Sequence, residues 1–391
     1  MNTPDMRIAL YMSPWRAIQT PTGVGQHVVR MCDEIARTPG VQASLVAARE
    51  DYVQARDYLP ESLATADVAY LPNRERLTRL LMLATRWLPR EDYGGAQDWV
   101  YCPKEQPVAT RCARLAVTVH DVRGLEASIP GLTQRTRRRD QIRWKLLVHK
   151  ILHRSTLIAT VSEFTRRRIL ELYGARYEHR TVVVGNGVSD AYSASAGETD
   201  GSVLERYGLS GRPYLCLVGS LTFRKGGDLI LSLAESLRAK RLPHRIVVSG
   251  SRHDAQLIAQ YKSMKSADPD FPVDLPGYVA EEDQAALLRH SVALLFPSRY
   301  EGFGIPVLEA MAAGAPVICS RNAALPEVAG DAALYLESES VEEMLEAIRH
   351  AEESSNGRAV LIARGRERAK EFTWQACAAK LLSGMRAADT D

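Results

Sequence analysis

The chain has 391 residues, 46% hydrophobic and 25% charged, with a net charge of +3. These proportions match folded globular proteins and exclude a disordered chain, and so small a net charge points away from a nucleic-acid partner. No apolar run approaches the roughly 18 residues of a membrane-spanning helix, and the length exceeds what one compact core fills, so two domains are expected.

The polar start, Met1 to Met6, leads straight into a predicted strand at Arg7 to Met12, which leaves no room for a secretory leader. Thr22-Gly23-Val24-Gly25 stands ahead of a predicted helix from Gln26. Val28 occupies the place of a third glycine and no acidic residue closes a dinucleotide fingerprint, so a dehydrogenase is not indicated. Further strands are predicted at Ala43 to Ala47, Ala116 to Thr118, Thr156 to Thr160 and Thr181 to Val184, with helical patterns between them. Between Asp51 and Trp99 only a helix-like stretch from Glu75 to Trp87 is readable. His120 and Asp121 end the run LAVTVHD, at the carboxyl end of a buried strand, where active sites of doubly wound sheets form. A lone histidine there is structural more often than functional.

From Arg135 to Arg154 the chain carries eight Arg or Lys residues and one Asp, with Trp144, Leu147, Val148 and Ile151 at helical spacing. This predicts an amphipathic helix with one basic face. Two readings of that face stand side by side, contact with anionic lipid headgroups and an ordinary solvated surface. Ser162 in TVSEFTRR suits a helix N-cap. The small, polar stretch from Ser189 to Ser202 reads as a linker.

A new α/β unit follows, with a strand at Tyr214 to Val218, a helix from Gly227, a strand at Arg245 to Ser249 and a helix from Asp254. The first strand ends at Gly219, and Arg224 and Lys225 sit on a loop before the glycine-started helix. Two fixed cations beside free helix N–H groups make a diphosphate site. An exposed basic turn is the plain alternative. Asp268-Pro269-Asp270 lies in a polar, proline-broken loop and reads as a turn, not as a metal site. The densest signal runs from Pro297 onward, PSRYEGFGIPVLEAMAAGAPV, after a strand at Ala293 to Phe296. Gly302 and Gly304 remove side-chain bulk at a helix N-terminus, Glu301 sits in the loop, and Glu309 follows one turn into the helix, so both carboxylates can address the hydroxyl groups of one ligand. Gly314 ends the helix and Val317 to Ser320 begin the next strand. Trp374 to Met385 reads as a last amphipathic helix. The six cysteines form no CxxC pair and read as reduced thiols of a cytoplasmic protein.

At these residues the chain resembles retaining glycosyltransferases of family 4, whose GT-B architecture sets two Rossmann-like doubly wound α/β domains around a central cleft. The motif of a glutamate, seven residues and a second glutamate is present as Glu301 and Glu309. The resemblance implies an N-terminal acceptor-side domain at residues 1–190, a linker at 191–211, a nucleotide-sugar domain at 212–371, and a helix at 372–391 that returns to the N-terminal domain. It implies that Arg224, Lys225 and the backbone of Gly302, Phe303, Gly304 and Ile305 hold the donor diphosphate. Glu309 would then take the ribose, Glu301 the transferred sugar, and His120 would stand beside that sugar. Gly23 and Gly25 resemble the family's glycine loop, Gly219 the strand-ending glycine of the donor site, and Gly250, Tyr278 and Val279 positions around the base. Asn186-Gly187-Val188 resembles the segment at the end of the first domain, and Glu327 in LPEVAGD is matched too. Relatives often carry an arginine directly after the strand glycine; here Ser220 stands there, which leaves that work to Arg224. The implied partners are a nucleotide-diphosphate sugar and a glycan or lipid-linked acceptor, with no cofactor and no metal. GSLTFRKG leans toward GDP-mannose-type donors of polysaccharide or lipopolysaccharide assembly, with UDP-sugars open. A sugar phosphorylase or hydrolase, or a non-catalytic nucleotide-sugar-binding protein, are the alternatives.

Overall fold

The computed structural model describes residues 5–12, 22–71, 97–106, 108, 113–126, 138–194, 197, 199–353 and 355–390. The helix-like stretch from Glu75 to Trp87 and the first residues of the basic segment, 135–137, lie outside them. The chain divides into two compact units, one built from the described residues up to 187 together with 374–390, the other from 188–373.

The first unit contains β1 (Met6–Tyr11), α1 (Gly23–Arg37), β2 (Val41–Ala48), β3 (Asp67–Leu71), β4 (Trp99–Cys102), β5 (Arg114–Val119), α2 (Arg138–Arg154), β6 (Leu157–Thr160), α3 (Glu163–Tyr173) and β7 (Thr181–Val183). Its strands pair in parallel in the order β3-β2-β1-β4-β5-β6-β7. The central strands are near-continuous apolar runs because helices cover both faces of such a sheet. Ala9, Val100, Val117 and Ile158 from the strands meet Val148 and Ile151 of α2 and Ile169 of α3 in one core. Among these strands, β3 and β4 have no counterpart in the sequence-based prediction.

The second unit opens with two short helices, α4 (Asp190–Ser193) and α5 (Asp200–Arg206), in the stretch whose composition reads as a linker. Then follow β8 (Tyr214–Val218), α6 (Gly227–Ala239), β9 (Arg245–Ser249), α7 (Ala255–Ala267), β10 (Val273–Gly277), α8 (Glu281–His290), β11 (Ala293–Phe296), α9 (Ile305–Ala313), β12 (Val317–Ser320), α10 (Leu325–Ala329), β13 (Leu334–Leu336), α11 (Val341–Glu353) and α12 (Ser355–Lys370). The parallel sheet runs β10-β9-β8-β11-β12-β13. Leu215, Leu217, Ile246, Val248 and Leu295 of the sheet pack with Ile230, Leu233 and Leu237 of α6. Both sheets are doubly wound, with strand order reversing beside the first strand of each.

The last helix, α13 (Trp374–Thr390), belongs to the first unit, where it packs on α1, β6 and β7. Gly384 admits this approach, since a Cβ there would stand 3.2 Å from Leu157 Cδ2. Trp99 Nε1 donates to Asp389 Oδ1 at 3.1 Å.

Candidate functional site

In the second unit the chain leaves β8 toward one edge of the sheet and leaves β11 toward the other, so the loops after these neighbouring strands bound a crevice at the switch point. The loop after β8 starts at Gly219 (φ 129°), where a Cβ would stand 2.5 Å from Lys225 Nζ. Thr222 caps a single 3-10 turn, Phe223–Lys225, and Gly226 at φ 70° connects that turn to α6. A side chain at Gly226 would meet Pro297 O at 2.5 Å, so the loop after β11 lies directly on the turn. Gly250, ending β9, is held as closely: its Cβ would stand 2.5 Å from the carbonyl carbon of Gly219. Lys225 folds back over the end of β8, where Nζ donates to Val218 O at 3.2 Å and lies 4.7 Å from the centre of the Phe296 ring.

Glu301 meets both cations. Its Oε1 lies 2.7 Å from Arg224 Nη1 and 3.8 Å from Lys225 Nζ, and it accepts from Ser298 Oγ at 3.0 Å. Arg224 Nη1 also donates to Tyr300 O at 2.9 Å. Burial pushes the Glu301 carboxyl up, but Arg224, then Lys225, then the Ser298 hydroxyl outweigh it and hold the group below the usual carboxylate range. The three residues therefore form one cluster with an excess positive charge, and the carboxylate shares its guanidinium partner with any anion bound there.

Glu309 sits in a different environment. α9 starts from Gly304 (φ 109°), whose Cβ would meet Leu325 Cδ2 at 2.7 Å, and ends at Gly314 (φ 82°), and Ile305, Val307, Leu308 and Ala310 to Ala313 are buried. A carboxylate 4% exposed within so apolar a helix needs a polar partner. Tyr192 of α4 supplies one through its phenol, which burial and then the Glu309 charge push well above its ordinary range. Phe303 is buried edge-on against Phe372, centroids 5.9 Å apart, so its side chain anchors the loop while its backbone lies at the helix N-terminus. After β10, Tyr278 is 49% exposed and Val279 buried.

The sequence prediction passed over Tyr192, Arg299, Asp228 and Glu339. Arg299 sits inside the signature loop and Asp228 three residues after Lys225, which are local signals that could have found them; Tyr192 and Glu339 are distant in sequence and nothing local marks them.

In the first unit, His120 follows the carboxyl end of β5, where it meets the loop after β4 and His27 of α1. His120 is 7% exposed and its Nε2 donates to Pro103 O at 2.9 Å, so that nitrogen carries the hydrogen. The His27 ring stands edge-on to it, centroids 4.6 Å apart. His27 Nδ1 donates to Asn186 Oδ1 at 2.7 Å, and its Nε2 faces Tyr101 Oη at 3.3 Å, which pairs in turn with Thr118 Oγ1 at 2.8 Å. Burial first, and the neighbouring His120 second, push His27 well below its ordinary range, against the opposing pull of Asn186. Glu105 is also placed beside His120: burial raises its carboxyl, His120 opposes this, and its Oε2 makes no hydrogen bond among the described residues.

Gly23 and Gly25 correct one expectation. They do not form a loop ahead of a helix from Gln26 but are the first turn of α1 itself, because Thr22 Oγ1 accepts from Gly25 N at 3.3 Å and caps the helix there. Ser162 caps α3 by accepting from Thr165 N at 3.0 Å. Asp268 accepts from Asp270 N at 3.1 Å and pairs with Arg238 at 2.6 Å, closing a turn after α7. On α2, Val148, Ile151 and Leu152 are buried and Trp144 and Leu147 pack on the same core. Ile142 and Leu146, one turn apart, are 60% and 59% exposed. No helix among the described residues is long and apolar enough to cross a membrane.

Two family models match the chain, Glycosyltransferase Family 4 over residues 21–192 and Glycosyl transferases group 1 over residues 205–368. The chain belongs to glycosyltransferase family 4. This family 4 glycosyltransferase is 28% identical over 289 residues to the O-antigen chain mannosyltransferase B of Escherichia coli, covering 73% of this chain and 74% of that one. It is 25% identical to the phosphatidyl-myo-inositol mannosyltransferase of Mycolicibacterium smegmatis, covering 96% and 92%. A GDP-mannose-dependent alpha-(1-6)-phosphatidylinositol monomannoside mannosyltransferase of the same organism is 29% identical, over 49% of this chain and 52% of that one. Among solved structures, the sucrose-phosphate synthase of Thermosynechococcus elongatus matches with a TM-score of 0.73 at 17% identity, over 98% of this chain and 99% of that one. The Anabaena protein HepE, solved with UDP and glucose, matches with a TM-score of 0.74 at 14% identity, over 98% and 100%. These neighbours share the GT-B fold of two Rossmann-like domains.

Proposed function

We propose that this glycosyltransferase moves a hexosyl group, mannosyl in the favoured case, from a nucleoside-diphosphate sugar to a hydroxyl of a glycan or lipid-linked glycan, with retention at the anomeric carbon and without a metal ion. The observation that carries the proposal is the cluster of Arg224, Lys225 and Glu301 at the switch point of the second unit. Arg224 and Lys225, with the N–H groups at the start of α9, bind the diphosphate and stabilise the charge that grows on it as the bond from the anomeric carbon to the phosphate oxygen breaks. The acceptor oxygen forms the new bond on the same face, and its proton passes to the leaving phosphate. Glu309 takes the ribose hydroxyls and Glu301 those of the transferred sugar. His120 is assigned to the sugar by family likeness, and Tyr278 and Val279 to the base. The names of the mannosyltransferase relatives support a mannosyl donor, with GDP favoured over UDP. The buried thiols of Cys32, Cys102, Cys216, Cys319 and Cys377, each raised by burial, suit a cytoplasmic site of action.

A second reading concerns the membrane. The exposed Ile142 and Leu146 stand among Arg143, Lys145 and Lys150, the composition of an interfacial helix, and support docking of α2 on anionic lipid.

Thermal-shift screening of GDP-mannose, UDP-glucose and related donors, with product analysis, tests the main proposal, because a bound donor raises the unfolding temperature by mass action. GDP-mannose is expected to stabilise most and to release GDP only when an acceptor is present. Selective stabilisation by UDP-sugars would reassign the base. Free sugar or a sugar phosphate as product would mean a hydrolase or phosphorylase, and stabilisation without turnover a binding protein. Turnover is expected to survive EDTA, and loss restored by magnesium or manganese would place a metal on the diphosphate.

A further inference from the structure

Arg299 lies two residues before Glu301, and its side chain is 7% exposed. Nη1 and Nη2 clasp Asp228 at 2.7 and 2.9 Å, and Nε and Nη2 clasp Glu339 at 2.7 and 2.6 Å. Nη1 also donates to Phe223 O, and the guanidinium lies 3.8 Å from the centre of the Phe223 ring. Its backbone N–H donates to Arg224 O at 2.8 Å. Four segments meet at this one group: the loop after β11, the turn Phe223–Lys225, the first turn of α6 and the loop after β13.

A buried guanidinium paired with two partly exposed carboxylates is a poor device for stability alone, since exposed ion pairs add little and well-packed apolar residues commonly serve as well as buried charges. What a guanidinium adds is direction, with five donors in a rigid plane. Here two of its bonds end on the backbone of the turn that carries Arg224 and Lys225, one from the side chain and one from the main chain. It also neutralises Asp228, a carboxylate three residues from Lys225 at the helix end that the diphosphate would approach. With its donors directed into the fold, Arg299 reaches the substrate only through the turn it holds.

We propose that Arg299 is a positioning residue for the diphosphate, holding the Phe223–Lys225 turn so that Arg224 and Lys225 converge on one anion while Asp228 is kept from competing for it. The proposal rests on the donor site assigned above. Titration calorimetry of the full chain with GDP, GMP, UDP and UMP tests it in wild type, Lys225→Ala, Arg299→Lys and Glu339→Gln. Arg299→Lys is expected to lower the ratio of diphosphate to monophosphate affinity by about tenfold, and Glu339→Gln, at a half-exposed carboxylate, by about threefold. A residue that merely stabilised the fold would shift both nucleotides equally. The proposal falls if Lys225→Ala lowers the ratio while Arg299→Lys and Glu339→Gln leave it at the wild-type value. Should Arg299→Lys not fold, the Glu339→Gln ratio decides alone. If wild type shows no diphosphate preference and Lys225→Ala changes nothing, the donor site itself is misassigned and the positioning role falls with it.

Discussion

Arg224 Nη1 lies 2.7 Å from Glu301 Oε1, which ties the group assigned to the sugar to the group assigned to the diphosphate. The carboxylate and a bound diphosphate therefore compete for the same guanidinium. Glu301→Gln keeps the shape and removes the competing charge. Its affinity for the free nucleoside diphosphate is expected to rise by about threefold, while turnover falls at least about tenfold because the sugar loses an orienting acceptor. Calorimetry and initial rates on one preparation check both directions. A fall in nucleotide affinity would show that Glu301 positions the cations rather than rivalling the phosphate.

Tyr192 and Glu309 form the second relationship. Removing the phenol oxygen leaves a buried carboxylate short of a donor, so Tyr192→Phe is expected to shift the Glu309 carboxylate and weaken nucleoside-diphosphate binding by about three- to tenfold. A 2′-deoxy nucleotide, which lacks one of the hydroxyls assigned to Glu309, is expected to lose less. Equal losses for the ribo and deoxy forms would detach Tyr192 from ribose recognition.

How much of this was legible in the sequence follows from how local each signal is. Tyr214 to Val218, Arg245 to Ser249, Ala293 to Phe296 and Val317 to Ser320 are short apolar runs closed by Gly, Pro or polar residues, and they are strands in the structure. β4 is only Trp-Val-Tyr-Cys, and β3, Asp-Val-Ala-Tyr-Leu, lies on a sheet edge with no residue fully buried and no alternation; their pairing with other strands defines them, not their composition. In the site, Glu301, Glu309, Arg224 and Lys225 announce themselves because glycines and helix boundaries surround them within a few residues. Tyr192, Asp228 and Glu339 act through the fold, so no window along the sequence contains both partners. Gly23 misled because glycine was read as an interruption, whereas the Thr22 hydroxyl supplies the cap that lets a helix begin there.

The exposed pair on α2 yields a prediction about lipid. The protein is expected to sediment with vesicles containing phosphatidylglycerol at low salt and to be released at high salt, since the attraction is screened within about 10 Å at 0.1 M. Ile142→Ser with Leu146→Ser is expected to reduce sedimentation while leaving the unfolding temperature in place, because both side chains are exposed. Equal sedimentation with neutral vesicles, or none with anionic ones, would favour an ordinary solvated face.

His27 gives a prediction about acid stability whose sign is set by its burial. In the fold the ring is held neutral, well below its ordinary value of 6.5, by burial and by His120. The unfolded chain takes up a proton there as the pH drops below about 6.5 and the folded chain does not, so the stabilisation is fully present above that pH and is lost as pH falls. The slope is at most about 1.4 kcal/mol per pH unit for the one proton. The described tryptophans, Trp99, Trp144 and Trp374, all belong to the first unit, so their fluorescence reports on that unit during denaturant unfolding. The transition is expected to move to lower denaturant between pH 7.5 and 5.5. His27→Gln, which keeps an N–H donor for Asn186 and does not titrate, is expected to start less stable and to change less over that range. Parallel pH dependence in the two proteins would mean that His27 takes up its proton within the fold, and that the Asn186 bond outweighs its burial.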